Sequence, residues 1–168
     1  MTLADALIKE LRYESGKSKK MIERVPQDNM GWKIHEKSMP IGRLAQHIAS
    51  TPIWAGRTLD SDHIDFGNGS VPPPIGPLES VDEILTLFSQ KIDEAVETFA
   101  KYPDEHYHAQ WEMRNAGNIL FARPRIDVIR DFLFNHTVHH RGQLSVYLRV
   151  LDIPVPGMYG PSADEGRG

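Results

Sequence analysis

The chain has 168 residues, no cysteine and a formal net charge of −4 at pH 7. The lack of cysteine excludes disulfide bonds, thiolate metal ligands and a cysteine nucleophile, so histidines and carboxylates must carry any reactive chemistry. Lys and Arg are scattered through a slightly acidic chain, which argues against a nucleic-acid partner. A chain of this length buries about two-thirds of its unfolded surface, which predicts a single domain over residues 1–168 that folds without help from a metal.

The amino-terminal segment MTLADALIKELRYESGK is charged from its start and lacks a long apolar stretch followed by a cleavage-like site. It therefore does not resemble a signal peptide. No part of the sequence contains the run of about 20 apolar residues that a membrane-spanning helix needs. We expect a cytoplasmic protein without a membrane partner.

A first helix is predicted over residues 2–25. Thr2 and Asp5 have the spacing of a capping box, and apolar side chains follow them near one helical face. These apolar residues are Leu7, Leu11, Ile22 and Val25. A polar gap interrupts the apolar face and consists of Glu14, Ser15 and Ser18. The gap residues either line a polar site or reach solvent from a slightly skewed helix, and the second interpretation is slightly favoured.

A second helix is predicted over residues 41–59, with apolar side chains at Ile41, Leu44 and Ile48. Pro52 cannot donate a backbone hydrogen bond and its ring hinders a regular helix. We therefore expect this helix to bend near Pro52.

The next segment, DSDHIDFGNGSVPPPIGPLE, is rich in Pro and Gly. Its extended length exceeds the roughly 30 Å of a 20-residue helix, so it can cross from one end of a bundle to the other. A simple up-down-up-down order is therefore not required. His63 lies among acidic residues that could bind a metal, but a solvated loop is the favoured interpretation.

A third helix is predicted over residues 81–101, because Ser80 and Glu83 form another capping box ahead of apolar residues at alternating steps of three and four. The segment WEMRNAGNILFA after it has a turn sequence between two alternating stretches, which predicts a short β-hairpin over residues 111–121.

A fourth helix is predicted over residues 124–151, with a seam of residues at the steps of three and four typical of a bundle. The seam consists of Ile129, Leu133, His136, His140, Gln143 and Tyr147. Further apolar side chains lie off the seam, so this helix should be the most buried, with one side against another subunit. The tail after Leu151 has too many prolines and glycines for regular structure. The predicted fold class is all-α, a four-helix bundle with a long crossover loop and a short hairpin between helices three and four.

Two histidines of the fourth helix share one face. His136 and His140 are four residues apart, so their rings stack one turn apart and can converge on one ion at about 2.0 to 2.1 Å from each nitrogen. Both lie on the seam, where unpaired imidazoles are costly to bury. A shared partner is therefore expected.

His47 stands on the apolar face of the second helix, also at a position that faces the core. A lone histidine there is more often a core residue with a local hydrogen bond. Together with the pair on the fourth helix, however, it completes a three-imidazole metal site that leaves one or more positions for water or substrate.

The other reactive groups carry weaker signals. His139 is rotated away from the shared face, so it is interpreted as a flanking or interface residue. Arg141 is expected to pair with a carboxylate or reach the end of the bundle. Ser145 has no evident triad partner, which argues against a serine nucleophile.

The segment NHTVHHRGQLSVYLR, preceded far upstream by LAQHIA, resembles the DinB-like proteins. This damage-inducible, metal-binding family is unrelated to the DNA polymerase that shares its name. The tail IPVPGMYGPSADE also looks like the end of many members, and the resemblance spans nearly the whole chain.

The resemblance implies a bundle in up-down-down-up order, often a homodimer, with a divalent metal, commonly nickel or zinc, held by three histidines. Those ligands fall on His47, His136 and His140 of this sequence. The family includes thiol S-transferases that use mycothiol or bacillithiol, a glutathione- or mycothiol-dependent maleylpyruvate isomerase, and many members without an assigned reaction.

The leading hypothesis is a metal-dependent enzyme that activates either a low-molecular-weight thiol or water for attack on a small-molecule substrate. Thiol transfer is slightly favoured over hydrolysis because of the relatives that the resemblance implies. The alternatives are a noncatalytic metal-binding stress-response module and a homodimeric interaction protein whose histidines sense pH.

Overall fold

A computed structural model describes residues 1–69, 71 and 75–166. Its helices are α1 (Leu3–Ile22), α2 (Ile41–Ser50), α3 (Trp54–Leu59), α4 (Val81–Ala100), α5 (Asp104–His108), α6 (Arg125–Ile129) and α7 (His136–Val150). Its strands are β1 (His63–Asp65), β2 (Gln110–Asn115) and β3 (Asn118–Pro124). None of the helices in the described part of the chain is both long and apolar enough to cross a membrane.

Both predicted capping boxes are confirmed. The Thr2 hydroxyl accepts from the Asp5 amide at 3.1 Å, and the Asp5 carboxylate accepts from the Thr2 amide at 3.0 Å. Ser80 and Glu83 repeat this exchange at the start of α4, at 3.1 and 3.3 Å. Each box satisfies amide groups that have no partner within the helix, which sets where α1 and α4 begin.

Four helices form the main core. α1 and α2 each pack against both α4 and α7. The buried side chains between them include Leu7, Leu11, Leu44, Ile48, Ile84, Phe88, Leu144 and Leu148. Burying one such aliphatic or aromatic side chain contributes about 1.5 to 3 kcal/mol, so this shared interior dominates the stability of the helical layer.

The predicted bend in the second helix is confirmed. α2 ends at Ser50, a 3₁₀ turn covers Thr51–Ile53, and α3 begins at Trp54. Pro52 has no N–H to continue the α-helical pattern. The Thr51 amide donates to the His47 carbonyl and also to the Ile48 carbonyl, which an amide at position 52 would serve in a regular helix. The Thr51 hydroxyl adds a further hydrogen bond to the His47 carbonyl at 2.9 Å.

The fourth predicted helix contains an irregularity that its sequence pattern did not reveal. A π-helical stretch over Arg130–Asn135 joins α6 to α7. The seam residues Ile129, Leu133 and Tyr147 are buried as predicted, whereas Gln143 is exposed.

One face of α7 has no cover within the described part of the chain, and the predicted contact of this helix with another subunit stays a prediction. Val138, Val146 and Val150 on this face are 40%, 52% and 54% exposed.

The hairpin prediction is confirmed, and the all-α fold class is correct only in part, because the chain is rich in helices but also contains a sheet. β2 and β3 pair antiparallel, and β1 adds to β2 in parallel, so a three-stranded sheet in the order β1-β2-β3 accompanies the helices. The hairpin turn uses Ala116 and Gly117, both with positive φ (50° and 82°), as a tight hairpin turn with right-handed strand twist requires.

β1 lies inside the segment predicted as a crossover loop. Three residues are too few to show an alternating pattern, and pairing with β2 creates the strand. Asp65 at its end accepts from the Gly67, Ala116 and Gly117 amides at 2.8 to 2.9 Å, which ties the hairpin turn to β1. The remainder of the predicted crossover includes residues 70 and 72–74, which lie outside the described residues.

The tail after Leu151 is irregular over its described length, as predicted. It is nevertheless held against the helices. Arg149 donates to both carboxylate oxygens of Asp164 at 2.9 and 2.6 Å, and the Tyr159 hydroxyl donates to Glu14 at 2.8 Å. The tail therefore covers part of the surface between α1 and α7.

Candidate metal centre

Three imidazoles from two helices converge in the structure. The Nε2 atoms of His47 on α2 and His136 on α7 are 2.8 Å apart, and those of His140 and His136 are 2.9 Å apart. One ligand atom from each ring lies within 4.8 Å of the other two, and all three residues are partly buried. This is the one group of three or more His, Asp or Glu side chains with such spacing in the described part of the chain.

The helical framework explains why these rings meet. α2 packs against α7, and the four-residue spacing of His136 and His140 puts both rings on the side that faces α2. The π-helical stretch ends directly before His136, and the Thr137 hydroxyl donates to the Leu133 carbonyl at 2.6 Å within this region. A π-helical turn changes the angular position of the residues after it, and such turns often occur at functional sites.

The spacing of the nitrogens fits one shared ion. Two imidazole nitrogens bound to the same ion at 2.0–2.1 Å lie about 2.8 to 3.4 Å apart for angles between octahedral and tetrahedral values. Both observed Nε2 distances fall at the short end of this range. Without an ion, His136 Nε2 faces two other ring nitrogens although it carries only one proton or one lone pair. The donor set therefore fits a divalent cation.

The environment keeps these rings neutral at pH 7. Burial lowers the pKa of His47 from 6.5 to about 4, with smaller contributions from His140, His136 and the positive charge of Arg43. Burial is also the main cause that lowers the pKa of His136 and of His140. Neutral imidazoles have the free lone pair that metal binding needs.

The remaining histidines lie outside this group. His139 is exposed on α7, and its ring centre is 4.9 Å from that of His140. His63 is exposed on β1. His63 therefore lies in a strand and not in the predicted loop, although it is exposed as expected. His106 contacts the Leu59 carbonyl at 2.9 Å and stacks on Tyr102.

Arg141 explains the polar gap in α1. Its guanidinium, 2% exposed, donates to the Glu14 carboxylate at 2.6 Å, the Glu14 carbonyl at 3.1 Å and the Ser18 hydroxyl at 3.2 Å. It also donates to the Tyr159 hydroxyl. The expectation that Arg141 pairs with a carboxylate is confirmed. The favoured interpretation that the gap residues reach solvent is wrong for Glu14 and Ser18, which bind Arg141.

Two residues near the imidazoles were not predicted to belong to the site. Gln143 accepts a hydrogen bond from His140, and Arg43 lies one turn before His47 on α2. Helical spacings of three and four residues are the signal that could have found them, because side chains at these separations are neighbours.

The fold and the imidazole group together define a helical protein with a three-histidine site able to hold a metal ion. A family model described as DinB family matches residues 1–167. The chain therefore belongs to the DinB family.

Individual relatives are distant but cover nearly the full length. The chain is 23% identical over 175 residues to the uncharacterized protein YrdA of Bacillus subtilis strain 168. The aligned region covers 96% of this chain and 90% of YrdA. A DinB-like protein from Bacillus cereus ATCC 10987 superposes with a TM-score of 0.69 at 21% identity, over 94% of this chain and 98% of that one. The DinB-like protein YjoA of Bacillus subtilis superposes with a TM-score of 0.67 at 14% identity, over 96% and 99%. These structures share the fold.

Proposed function

We propose that His47, His136 and His140 bind one divalent metal ion, Zn²⁺ or Ni²⁺. The observation that carries this proposal is the convergence of the three Nε2 atoms, with contacts of 2.8 and 2.9 Å. Imidazole suits both metals. Three protein ligands leave at least one position for an exchangeable ligand, as in catalytic rather than structural zinc sites.

We further propose that the protein is a metal-dependent enzyme, a thiol S-transferase or a hydrolase acting on a small molecule. A bound divalent ion supplies Lewis acidity, which favours the deprotonated form of a thiol or water placed beside it. The three imidazoles are neutral, so they leave the positive charge of the ion available for an anionic ligand. The chain has no cysteine, so the thiol must be a low-molecular-weight cofactor.

DinB family membership favours thiol transfer over hydrolysis. The reason is that the resemblance described for the sequence implies thiol S-transferases among the relatives. On this proposal the residues of the chain have distinct tasks. The three imidazoles hold and orient the ion, and Arg43 adds positive charge beside His47. Both would favour the thiolate over the thiol.

Elemental analysis of purified protein and of a His140→Ala variant tests the metal site. We expect one divalent ion per chain in the native protein and a large loss in the variant. Unchanged stoichiometry in His140→Ala would contradict the assignment of His140 as a ligand.

Turnover is tested by following thiol consumption with several pairs of low-molecular-weight thiol and electrophile. Consumption that depends on added metal supports the transferase. Ester or amide cleavage without thiol supports the hydrolase. If metal removal lowers thermal stability and no pair is consumed, the site serves a noncatalytic metal-binding module instead.

We also propose a cytoplasmic homodimer built from four-helix bundles in up-down-down-up order. The contacts follow the order α1–α4–α2–α7, which differs from the order of the helices along the chain, as a bundle with a long crossover connection requires. The exposed valines of α7 support a second copy of the chain as partner. Sedimentation of the wild type and of a Val146→Glu variant tests the dimer, because a charge in an apolar interface should shift the protein to monomer.

A further inference from the structure

Gln143 makes a direct contact with one of the three imidazoles. Its side-chain Oε1 lies 2.7 Å from Nδ1 of His140, one turn earlier on α7. An amide oxygen has lone pairs and no proton, so His140 Nδ1 is the donor. A neutral imidazole with its proton on Nδ1 carries a free lone pair on Nε2. In His140 this Nε2 is the atom that lies 2.9 Å from His136.

We propose that Gln143 is a positioning residue for metal binding, which holds His140 in the tautomer and ring orientation that direct its Nε2 lone pair to the ion. This inference rests on the proposed function, because it requires that the three imidazoles bind a metal. Hydrogen bonds to the non-coordinating nitrogen of a metal-binding histidine commonly serve this purpose, and their loss weakens metal binding about 10- to 100-fold.

The neutral amide has a second consequence. A carboxylate at this position would accept the same proton but would add a negative charge near the ion and raise the basicity of the imidazole. Gln143 orients His140 without adding charge. The site with three neutral imidazoles and a neutral amide therefore keeps its attraction for an anionic ligand such as a thiolate.

Two substitutions separate orientation from charge. Gln143→Met removes the acceptor and keeps an unbranched side chain of similar size, whereas Gln143→Glu keeps the acceptor and adds charge. Gln90→Met is the matched control, because Gln90 is also an exposed helical glutamine but pairs with Glu94 on α4. The full chain is loaded with Zn²⁺, Ni²⁺ or Co²⁺, and metal affinity is measured by competition with a chromophoric chelator.

We expect Gln143→Met to bind Zn²⁺ and Ni²⁺ about 10- to 100-fold more weakly than the wild type and to alter the visible absorption spectrum of the Co²⁺ form. Gln143→Glu should restore affinity to at least the wild-type value, and Gln90→Met should match the wild type. The melting temperature of the metal-free protein should be unchanged in all three variants, because Gln143 and Gln90 are exposed.

Wild-type affinity and an unchanged Co²⁺ spectrum in Gln143→Met would overturn the positioning role while leaving the metal site intact. Affinity in Gln143→Glu as weak as in Gln143→Met would overturn it as well, because the acceptor is retained there. A wild-type protein that binds none of the three metals would instead overturn the proposed function, and the positioning role with it.

Discussion

The polar group around Arg141 and the three imidazoles of the helical layer differ in how their hydrogen bonds are satisfied. The guanidinium of Arg141 finds four acceptors within the chain, on Glu14, Ser18 and Tyr159. The three imidazoles of His47, His136 and His140 point ring nitrogens at one another. Arg141 and His140 are consecutive in sequence, yet they belong to these two different groups.

The difference separates a structural polar group from a ligand site. A buried charge is tolerated when the protein supplies its counter-charge and hydrogen bonds, as Glu14 does for Arg141. Three neutral nitrogens that share one centre have no such internal solution, because a hydrogen bond needs one donor and one acceptor. A cation supplied from outside satisfies all three. Substitutions in the two groups should therefore have different consequences.

The largest change in unfolding free energy should come from substitutions among Arg141 and its partners Glu14, Ser18 and Tyr159, which we call the Arg141 group. Arg141→Met leaves the Glu14 carboxylate, 14% exposed, without its counter-charge. Breaking a buried pair in this way costs about 3 to 5 kcal/mol of unfolding free energy, which urea denaturation measures. Arg149→Met is the control, because Arg149 is 49% exposed in its pair with Asp164, and it should cost about 1 kcal/mol or less. Equal losses of unfolding free energy in Arg141→Met and Arg149→Met would contradict the distinction between the buried and the exposed ion pair.

The imidazole group should respond to metal instead. Added Zn²⁺ or Ni²⁺ at 100 times its dissociation constant should raise the unfolding free energy by about 2.7 kcal/mol. His136→Ala should abolish this increment, whereas the neighbouring exposed His139→Ala should keep it. Thermal unfolding with and without metal measures the effect. A full increment in His136→Ala would contradict the assignment of this residue as a ligand.

The same imidazoles predict the pH dependence of the metal-free protein. The pKa of His47 is about 4 in the folded chain, below its ordinary 6.5, because burial disfavours the charged ring. Between these two values the unfolded chain binds more protons, so stability is retained above pH 6.5 and falls as the pH is lowered from 6.5 to 4. Denaturant midpoints at several pH values check this. The difference in stability between wild type and His47→Gln should change over this window, and a constant difference would contradict the shift.

The smallest change in unfolding free energy should come from Tyr159, the residue of the tail that belongs to the Arg141 group. Tyr159→Phe removes the hydroxyl that accepts from Arg141 and donates to Glu14. We expect a loss of about 0.5 to 1.5 kcal/mol in urea denaturation, since the arginine and carboxylate still pair. Tyr13→Phe, at a tyrosine 60% exposed, is the control and should lie near zero. A loss in Tyr159→Phe no larger than the control would show that the tail adds nothing to this group.

Local chemistry in the sequence determined several features of this protein. The capping residues at Thr2 and Ser80 set the starts of α1 and α4, and Pro52 set the bend after α2, because each acts on backbone groups a few residues away. The hairpin turn and the shared face of His136 and His140 were also predictable, since they depend only on the geometry of a short segment.

The tertiary structure alone decided which distant groups meet. Local spacing in the sequence gives no signal for three features of the structure. These are the pairing of β1 with β2, the identity of the carboxylate that pairs with Arg141, and the π-helical stretch before His136. The meeting of His47 with the α7 pair was anticipated because a histidine on each apolar face indicates a common partner, and because the DinB-like resemblance implies the same three residues. Nearness across the core follows from how helices pack, and residue spacing along one helix contains no measure of the distance to another.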